Sequence, residues 1–392
     1  MTDVPGPPPP EPSPAPAPPT TAPPARRPLW KRFLWPDWNS RKRLMRVEAW
    51  AVVIGSYAFL ALAYLLPQDY RNESPGYVLL AWLAFMVRVF TFHLGLLLLV
   101  IAVAAAFGRG KRLLLAAAPL VLFTLGPVWW GYLAPRTPPP AQTSGVRPLR
   151  VMSCNLLTIN RDFNGILAEI KAADPDVLLL QEYSTPWHKA ASAELLRAYP
   201  HRDYVTREDA FGLAVYSKLP FVEPVDNRLP LGRVFVEQSR AVVRHEGRDV
   251  AIYNIHLLPP RTLSYTLEGR LQFADLLQTL KAEKLPYVMG GDFNLTNDTP
   301  QHANLRALGA RDVHELVGRG RGATWPVNSF FRSVPGIRLD HVYVGPGLAA
   351  VRTETGVGRG SDHRPIVADV TWHAPPAPAT TRAAPPGQPA EE

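Results

Sequence analysis

The sequence predicts an α+β fold: two packed, mostly antiparallel β-sheets with helices outside them, preceded by an N-terminal region of three transmembrane helices. Three observations carry that reading. Three long apolar runs lie before residue 135, short β-like runs alternating with amphipathic helices begin at Leu149, and proline-rich stretches bracket both regions. A length of 392 residues gives a prior of two or three structural units. Proline, at 43 residues, is about twice its average usage of roughly 5%, while 47% of the chain is hydrophobic, so the prolines and the core-forming residues belong to different parts of it.

Residues 1–46 form a Pro-rich, basic tail. Its first 40 residues hold 14 prolines, and a stretch such as PGPPPPEPSPAPAPP buries too little apolar area to offset its ordering entropy. It reads as disordered, with a partner-binding polyproline segment as the alternative. Arg26, Arg27, Lys31, Arg32, Arg41, Lys42, Arg43 and Arg46 follow.

Residues 47–134 hold three candidate spans, at about 49–66, 88–108 and 113–134, each long enough for a hydrocarbon core about 30 Å thick. Basic residues stay cytoplasmic, so those eight and the loop with Arg109, Lys111 and Arg112 are expected inside. The loop Pro67–Gly76, with one Arg, one Asp and one Glu, suits the outside. Three spans starting inside place everything after residue 134 outside the cytoplasm, with Trp129, Trp130 and Tyr132 as an outer aromatic belt. Counting back from Arg109 puts Arg88 at the outer interface and leaves residues 77–87 as an interfacial extension; an intramembrane functional arginine is the sharper alternative.

Residues 135–148 read as a Pro-rich spacer and 149–372 as one folded domain. The run LRVMSCNLL opens it, the helix FNGILAEIKAA sets Phe163, Ile166, Leu167 and Ile170 on one face, and DVLLLQEY follows. Later strand candidates are FGLAVYS, RVFVEQSRAVVRH, RDVAIYNIHL, PYVMGGDF, RLDHVYVG and RPIVADVTW, with a long amphipathic helix from about Ser264 to Glu283. No internal repeat is apparent. Residues 373–392 form another Pro-rich tail, expected to be disordered.

The formal charge of +9 resembles a nucleic-acid footprint until it is divided along the chain. Residues 1–149 carry 15 basic and 6 acidic side chains, whereas residues 150–372 carry 26 and 25. The excess is a topology signal, and a domain at net +1 lacks the large basic face that a duplex-tracking nuclease uses; a local strip from Arg228, Arg233, Arg240 and Arg244 remains open. The single cysteine, Cys154, excludes an intramolecular disulfide and a thiolate zinc cluster. It alternates away from Asn155 and reads as core filler.

Chemistry is sought among polar groups at the ends of apolar strands, where a scaffold aims them. Asn155 ends the first strand run, Glu182 ends DVLLLQE, and His256 ends VAIYNIH. Asp292 and Asn294 follow YVMGG, Asp340 sits within IRLDHVYV, and Asp362 and His363 lie in SDHRP. Each alone is commonly a cap, a turn or a satisfied core residue. Together, carboxylates, amides and histidines at strand ends are what a divalent-metal phosphoester hydrolase requires: hard oxygen ligands for Mg²⁺ or Mn²⁺, a carboxylate-oriented histidine to deprotonate water, and donors for phosphoryl oxygens.

The segments CN at 154–155, PDVLLLQE at 175–182, NIHLLPP at 254–260, GGDFN at 290–294, RLDH at 338–341 and SDHRP at 361–365 resemble, in this order, the motif series of the endonuclease/exonuclease/phosphatase superfamily. The resemblance covers about residues 149–372, and the three preceding spans resemble bacterial membrane-bound members, hence a multi-pass protein of the cell (inner) membrane. It implies a four-layered α/β sandwich with its site at one edge. Carried over, Glu182 is the principal metal ligand, Asn155 assists at metal and phosphate, and Asp362 supports the metal site. His363 is the base, held by Asp340. Asp292 and Asn294 orient nucleophile and phosphate, and His256 donates to the phosphate or the leaving oxygen.

An acidic partner for His256 is unassigned, with Glu208, Asp209 and Asp203 as candidates. Arg270 and Gln272 are expected in solvent, and His341, on the opposite strand face from Asp340, is expected to be structural. The implied partners are a phosphoester substrate (nucleic acid, phospholipid or small phosphate) and the membrane, with no obligate protein partner evident. A non-catalytic tethered domain is disfavoured because every metal and base residue is present.

Overall fold

A computed structural model describes Gly6 and residues 38–108, 110–133, 146–226, 229–234, 236–327 and 334–373. Arg26, Arg27, Lys31, Arg32, Arg109 and Arg228, nearly all of both expected tails and most of the 135–148 spacer lie outside the described residues. The chain divides into two compact units, Met1–Ala51 and Val52–Glu392. The first is described as helix from Trp38 onward, with Arg43 and Arg46 exposed.

Four helices precede the sandwich: α1 (Trp38–Leu65), α2 (Pro75–Val89), α3 (Thr91–Phe107) and α4 (Lys111–Leu133). Two stretches, Arg41–Leu65 and Lys111–Leu133, are long and apolar enough to cross a membrane. The expected span at 88–108 is not one straight helix: α2 and α3 meet that test only as a pair, bent by 63°. The bend falls at Phe90 (φ −100°, ψ 15°), two residues after Arg88, whose guanidinium reaches the carbonyls of Ala63 (2.8 Å) and Asp298 (2.9 Å). Val53, Leu60, Leu98, Ala102, Ala117 and Leu120 pack these helices together. A Cβ at Gly95 would stand 2.5 Å from Thr124 Oγ1, so glycine permits the close approach of α3 to α4 there.

The remainder is the predicted two-sheet sandwich. Its elements are β1 (Leu149–Asn155), α5 (Phe163–Ala173), β2 (Val177–Gln181), α6 (Thr185–Ala198), β3 (His201–Val205), β4 (Leu213–Ser217), β5 (Phe221–Asp226), β6 (Ser239–His245), β7 (Arg248–His256) and α7 (Leu263–Ala282). There follow β8 (Tyr287–Asp292), α8 (Pro300–Ala307), β9 (Arg311–Asp312), α9 (Val313–Val317), β10 (Asp340–Val344), β11 (Leu348–Thr355) and β12 (Ile366–Trp372). One sheet runs β11-β12-β1-β2-β4-β3 and the other β5-β6-β7-β8-β10-β9. Neighbours are antiparallel except for β1–β2 and β7–β8. Strand for strand, the two sheets have the same order and the same senses, a repeat of connectivity that the sequence does not display.

Period-two alternation builds the layers. Val151, Leu179, Ile252, Val288 and Val342 face inward and fill the space between the sheets. Met152, Cys154, Leu178 and Leu180 face outward onto α5 and α6, with Ile166, Trp187 and Leu195. Tyr253, Ile255 and Met289 face outward onto α7, with Phe273 and Leu276. Cys154 is thus core filler, buried beneath α5. The run RVFVEQSRAVVRH is strand only from Ser239, because Gln238 turns inward to bond both the N–H and the C=O of His256, at 2.7 Å each.

Candidate active site

The two parallel pairs, β1–β2 and β7–β8, point their carboxyl ends to one edge of the sandwich. Their registers set Asn155 opposite Gln181 and His256 opposite Asp292, while antiparallel β10 starts with Asp340 opposite the same Asp292. Six of the predicted residues therefore arrive at one edge by strand geometry alone: Asn155, Glu182, His256, Asp292, Asn294 and Asp340. Two local features tighten it. Gly291 has φ 152°, and a Cβ on it would lie 1.7 Å from the Ile255 carbonyl oxygen, so glycine is required for β8 to pass β7. Glu182 and Asn294 both turn off their strands at positive φ (56° and 52°), a costly conformation for non-glycine residues that aims their side chains into the cleft.

Asn155 bridges two carboxylates, donating Nδ2 to Glu182 Oε1 (3.2 Å) and Asp292 Oδ2 (3.1 Å), while its Oδ1 accepts from Leu157 N (3.0 Å). The other oxygen of Glu182 accepts from both the N–H and the hydroxyl of Thr158, at 2.9 Å each. Asp340 Oδ2 lies 2.7 Å from His363 Nδ1. His363 Nε2 and His256 Nε2 are each 3.7 Å from Asp292 Oδ2. Asn294 donates its backbone N–H to Asp292 Oδ1 and its side chain to Leu257 O, both at 2.9 Å. Asp362 stands at the rim, accepting from the Trp325 indole at 3.1 Å, with its second oxygen buried and without a hydrogen-bond partner.

The electrostatics follow from burial and charge. Burial pushes the Asp292 carboxyl up to about 7, although His363 and the Asn294 and Asn155 donors pull the other way. Burial alone would depress His363, but the adjacent Asp340 and Asp292 carboxylates outweigh it and hold the imidazolium up to about 10. Burial brings His256 down to about 4 against the pull of Glu182, so it is neutral.

Several expectations resolve differently from the sequence reading. His256 Nδ1 is buried without a hydrogen-bond partner, so none of the candidate acids bonds it; the Phe211 ring packs on that histidine at 5.4 Å. Glu208 accepts from Thr185 N and Asp209 pairs with Arg207. Arg270 and Gln272 are buried rather than solvated. Arg270 donates to the carbonyls of Asn72 and Asp69, and Gln272 accepts from Leu258 N. The described members of the suggested basic strip are spent on ion pairs: Arg233 with Glu73 and Glu268, Arg240 with Glu223 and Glu283, Arg244 with Asp249.

His341 is structural, as expected, bonded to Asp312 (2.6 Å) and Leu295 O (3.0 Å). With His302 it makes a second group of ligand-type atoms around Asp312, but Arg338 already neutralises that carboxylate at 2.5 Å, and both His302 nitrogens are bonded, to Tyr343 and Glu315. The sequence reading missed the supporting shell of Thr158, Gln238, Thr324 and Trp325. Ser361, within the SDHRP motif, also belongs to it, accepting from His363 N and donating to Asn155 O. No local pattern marks these residues, because their role exists only once distant strands meet.

The model of the Endonuclease/Exonuclease/phosphatase family matches residues 152–363. No curated protein matches the chain. Among solved structures, an endonuclease/exonuclease/phosphatase from Beutenbergia cavernae is 24% identical, with 58% of this chain and 72% of that chain covered and a TM-score of 0.47. The 3′ phosphatase NExo from Neisseria bound to a product DNA hairpin is 20% identical over 57% of this chain and 100% of its own, with a TM-score of 0.49. D. rerio TDP2 complexed with a single-strand DNA product is 20% identical over 57% and 98%, also at 0.49.

Proposed function

Since the chain belongs to the endonuclease/exonuclease/phosphatase family, whose members are phosphoester hydrolases, we propose that it is a membrane-anchored hydrolase dependent on Mg²⁺ or Mn²⁺, in which His363 activates the attacking water. The observation that carries this is the His363–Asp340 pair, at 2.7 Å, facing Asp292 and the Asn155–Glu182 bridge across one cleft.

The residues fit a hard divalent cation. Asp292, Asp340 and His363 bring ligand-type atoms within 4.8 Å of one another, but the mutual hydrogen bond of His363 and Asp340 assigns those two to proton transfer. The oxygens of Glu182 and Asp292, and the unpartnered oxygen of Asp362, are the groups that would hold the ion, with Asn155 bracing them. The ion supplies positive charge that offsets phosphoryl charge and lowers the proton affinity of His363.

The protein's own groups do the rest. His363 Nε2 takes a proton from water as the water oxygen bonds to phosphorus; Asp340 fixes Nδ1–H and stabilises the imidazolium. The ester P–O bond breaks, the leaving oxygen takes a proton from solvent, and the proton held by His363 returns to solvent to reset the site. Asn294 and neutral His256 offer donors to the phosphoryl and leaving oxygens.

Anchoring is supported by the apolar stretches Arg41–Leu65 and Lys111–Leu133 and by exposed Leu97, Val100, Leu115 and Leu122 on α3 and α4. An extracytoplasmic domain agrees with the 67–76 loop, predicted outside, being bonded to that domain through Arg71–Asp275 and Arg233–Glu73. Hydrolysis of bis(p-nitrophenyl) phosphate by the full chain in detergent with Mg²⁺ or Mn²⁺ tests the activity. Turnover that survives both EDTA and His363→Ala overturns the mechanism.

A further inference from the structure

The cleft has a second wall that the hydrolase chemistry does not use. Opposite the catalytic groups, a cavity of about 530 Å³ is closed by Phe85, Met86, Val89 and Phe90, at the end of α2 and the bend into α3. Ile159 and Phe211 continue the apolar surface towards the mouth, where Ile159 is 75% and Phe90 44% exposed. The wall is held in place. Trp82 Nε1 donates to Pro260 O (3.0 Å), Arg88 reaches Asp298 O (2.9 Å), and His93 Nε2 meets Pro335 O (2.5 Å). Beyond the bend, α3 reads TFHLGLLLLVIAVAAAF, with no Lys, Arg, Asp or Glu.

We propose that the phosphoester taken by this site carries a hydrocarbon tail, which lies on the wall formed by the α2–α3 bend while the phosphate sits on the catalytic cluster. The inference rests on the hydrolase reading and narrows it to a lipid substrate entering from the apolar layer that α3 occupies. Two observations favour lipid over a polynucleotide. Among the described residues, Arg261 is the single Lys or Arg lining the cavity, and Arg233, Arg240 and Arg244 of the expected basic strip are paired elsewhere, whereas nucleic-acid backbones are tracked by cationic side chains. A continuous apolar wall meeting a few convergent polar groups is the lining an amphiphile requires.

The test uses the full chain in mixed micelles with Mg²⁺ or Mn²⁺. Its probes are bis(p-nitrophenyl) phosphate, a single-stranded oligonucleotide, and matched short- and long-chain forms of phosphatidylcholine, phosphatidylglycerol, phosphatidylinositol and a polyprenyl phosphate. At least one long-chain phosphoester is expected to exceed its short-chain form in kcat/KM by about tenfold or more, and Met86→Ser with Phe90→Ser to lower that ratio by about tenfold, with Met86→Leu retaining it. Independently of turnover and of the variants, a diazirine-bearing acyl chain in nanodiscs is expected to label the peptide containing residues 85–90 of the wild-type chain. A reporter that is cleaved while no long-chain form is preferred, a faster oligonucleotide, or labelling that spares this peptide overturns the lipid inference and leaves the hydrolase reading standing. No turnover of any probe, the reporter and the long-chain lipids included, removes both.

Discussion

At the residue scale the site is a problem in holding like charges together. Glu182, Asp292 and Asp340 converge in a buried space, and Asn155 separates two of them by donating one NH₂ group to both. His363→Ala is expected to lower kcat by roughly 10²–10⁴-fold. Asp340→Asn should cost a comparable factor, because the neutral amide no longer stabilises the imidazolium and can turn its NH₂ to Nδ1, favouring the wrong tautomer; both are read from metal-supplemented reporter kinetics. Asp312, on the neighbouring edge strand β9 and bonded to His341, is a charge kept for structure. Burial opposes its ionisation, yet Arg338 and His341 hold its carboxyl well below the usual range. A depressed carboxyl stabilises the fold fully above its unfolded value, about 3.9, and that contribution is lost as pH falls through the folded value. Asp312→Asn should therefore cost about 3–5 kcal/mol near neutrality, and the gap in melting temperature from wild type should narrow below about pH 4, as followed by thermal melts in detergent across pH.

At the element scale, the β7–β8 pair and the 67–76 latch carry the precision. Gly291→Ala drives a Cβ against the Ile255 carbonyl at 1.7 Å, whereas Gly290→Ala meets the movable end of Leu179 at 2.8 Å. The first is expected to cost on the order of 3 kcal/mol and the second nearer 1 kcal/mol, so the two melts should separate clearly. Arg270→Met removes the donors to Asn72 O and Asp69 O and should speed hydrogen exchange in residues 67–76 while leaving β1 and β8 protected.

Alternation and strand-end polarity made most strands legible in the sequence, and with them the strand ends and loops that bring the eight named residues to one edge. Less was legible where the signal is not local. Helix α6 carries apolar Trp187, Ala191 and Leu195 among charges. Strand β3 alternates only between half-buried and exposed residues. Arg270 reads as a solvent residue because nothing nearby in sequence shows that the loop two hundred residues earlier will cover it. The break at Phe90 lacks proline or glycine; Thr91 Oγ1 donates to Val87 O across it at 3.0 Å, and the contacts of Arg88 and His93 with the sandwich flank it.

At the scale of the whole molecule, the apolar helices and the sandwich share one interface. α2 is helix by sequence, roof of the cleft by position, and the start of an apolar passage by composition. Phosphatase and fluorescent-protein fusions after residue 372 should report an extracytoplasmic domain; a cytoplasmic readout overturns the three-span topology. EDTA should abolish turnover and Mg²⁺ or Mn²⁺ restore it.

The strand order also sets a timetable for biosynthesis. The sheet β5-β6-β7-β8-β10-β9 is drawn from one continuous stretch of chain, but β1 has no neighbour on one side until β12 arrives from the far end of the domain. A nascent chain therefore carries an open sheet edge until residues 366–372 emerge from the ribosome. A chain cut after Arg364 keeps all eight named site residues and is still expected to be cleaved rapidly by added protease, where the full-length chain resists. On this strand order, the last strand rather than the last of the named site residues is expected to set the moment at which a newly made molecule closes its fold.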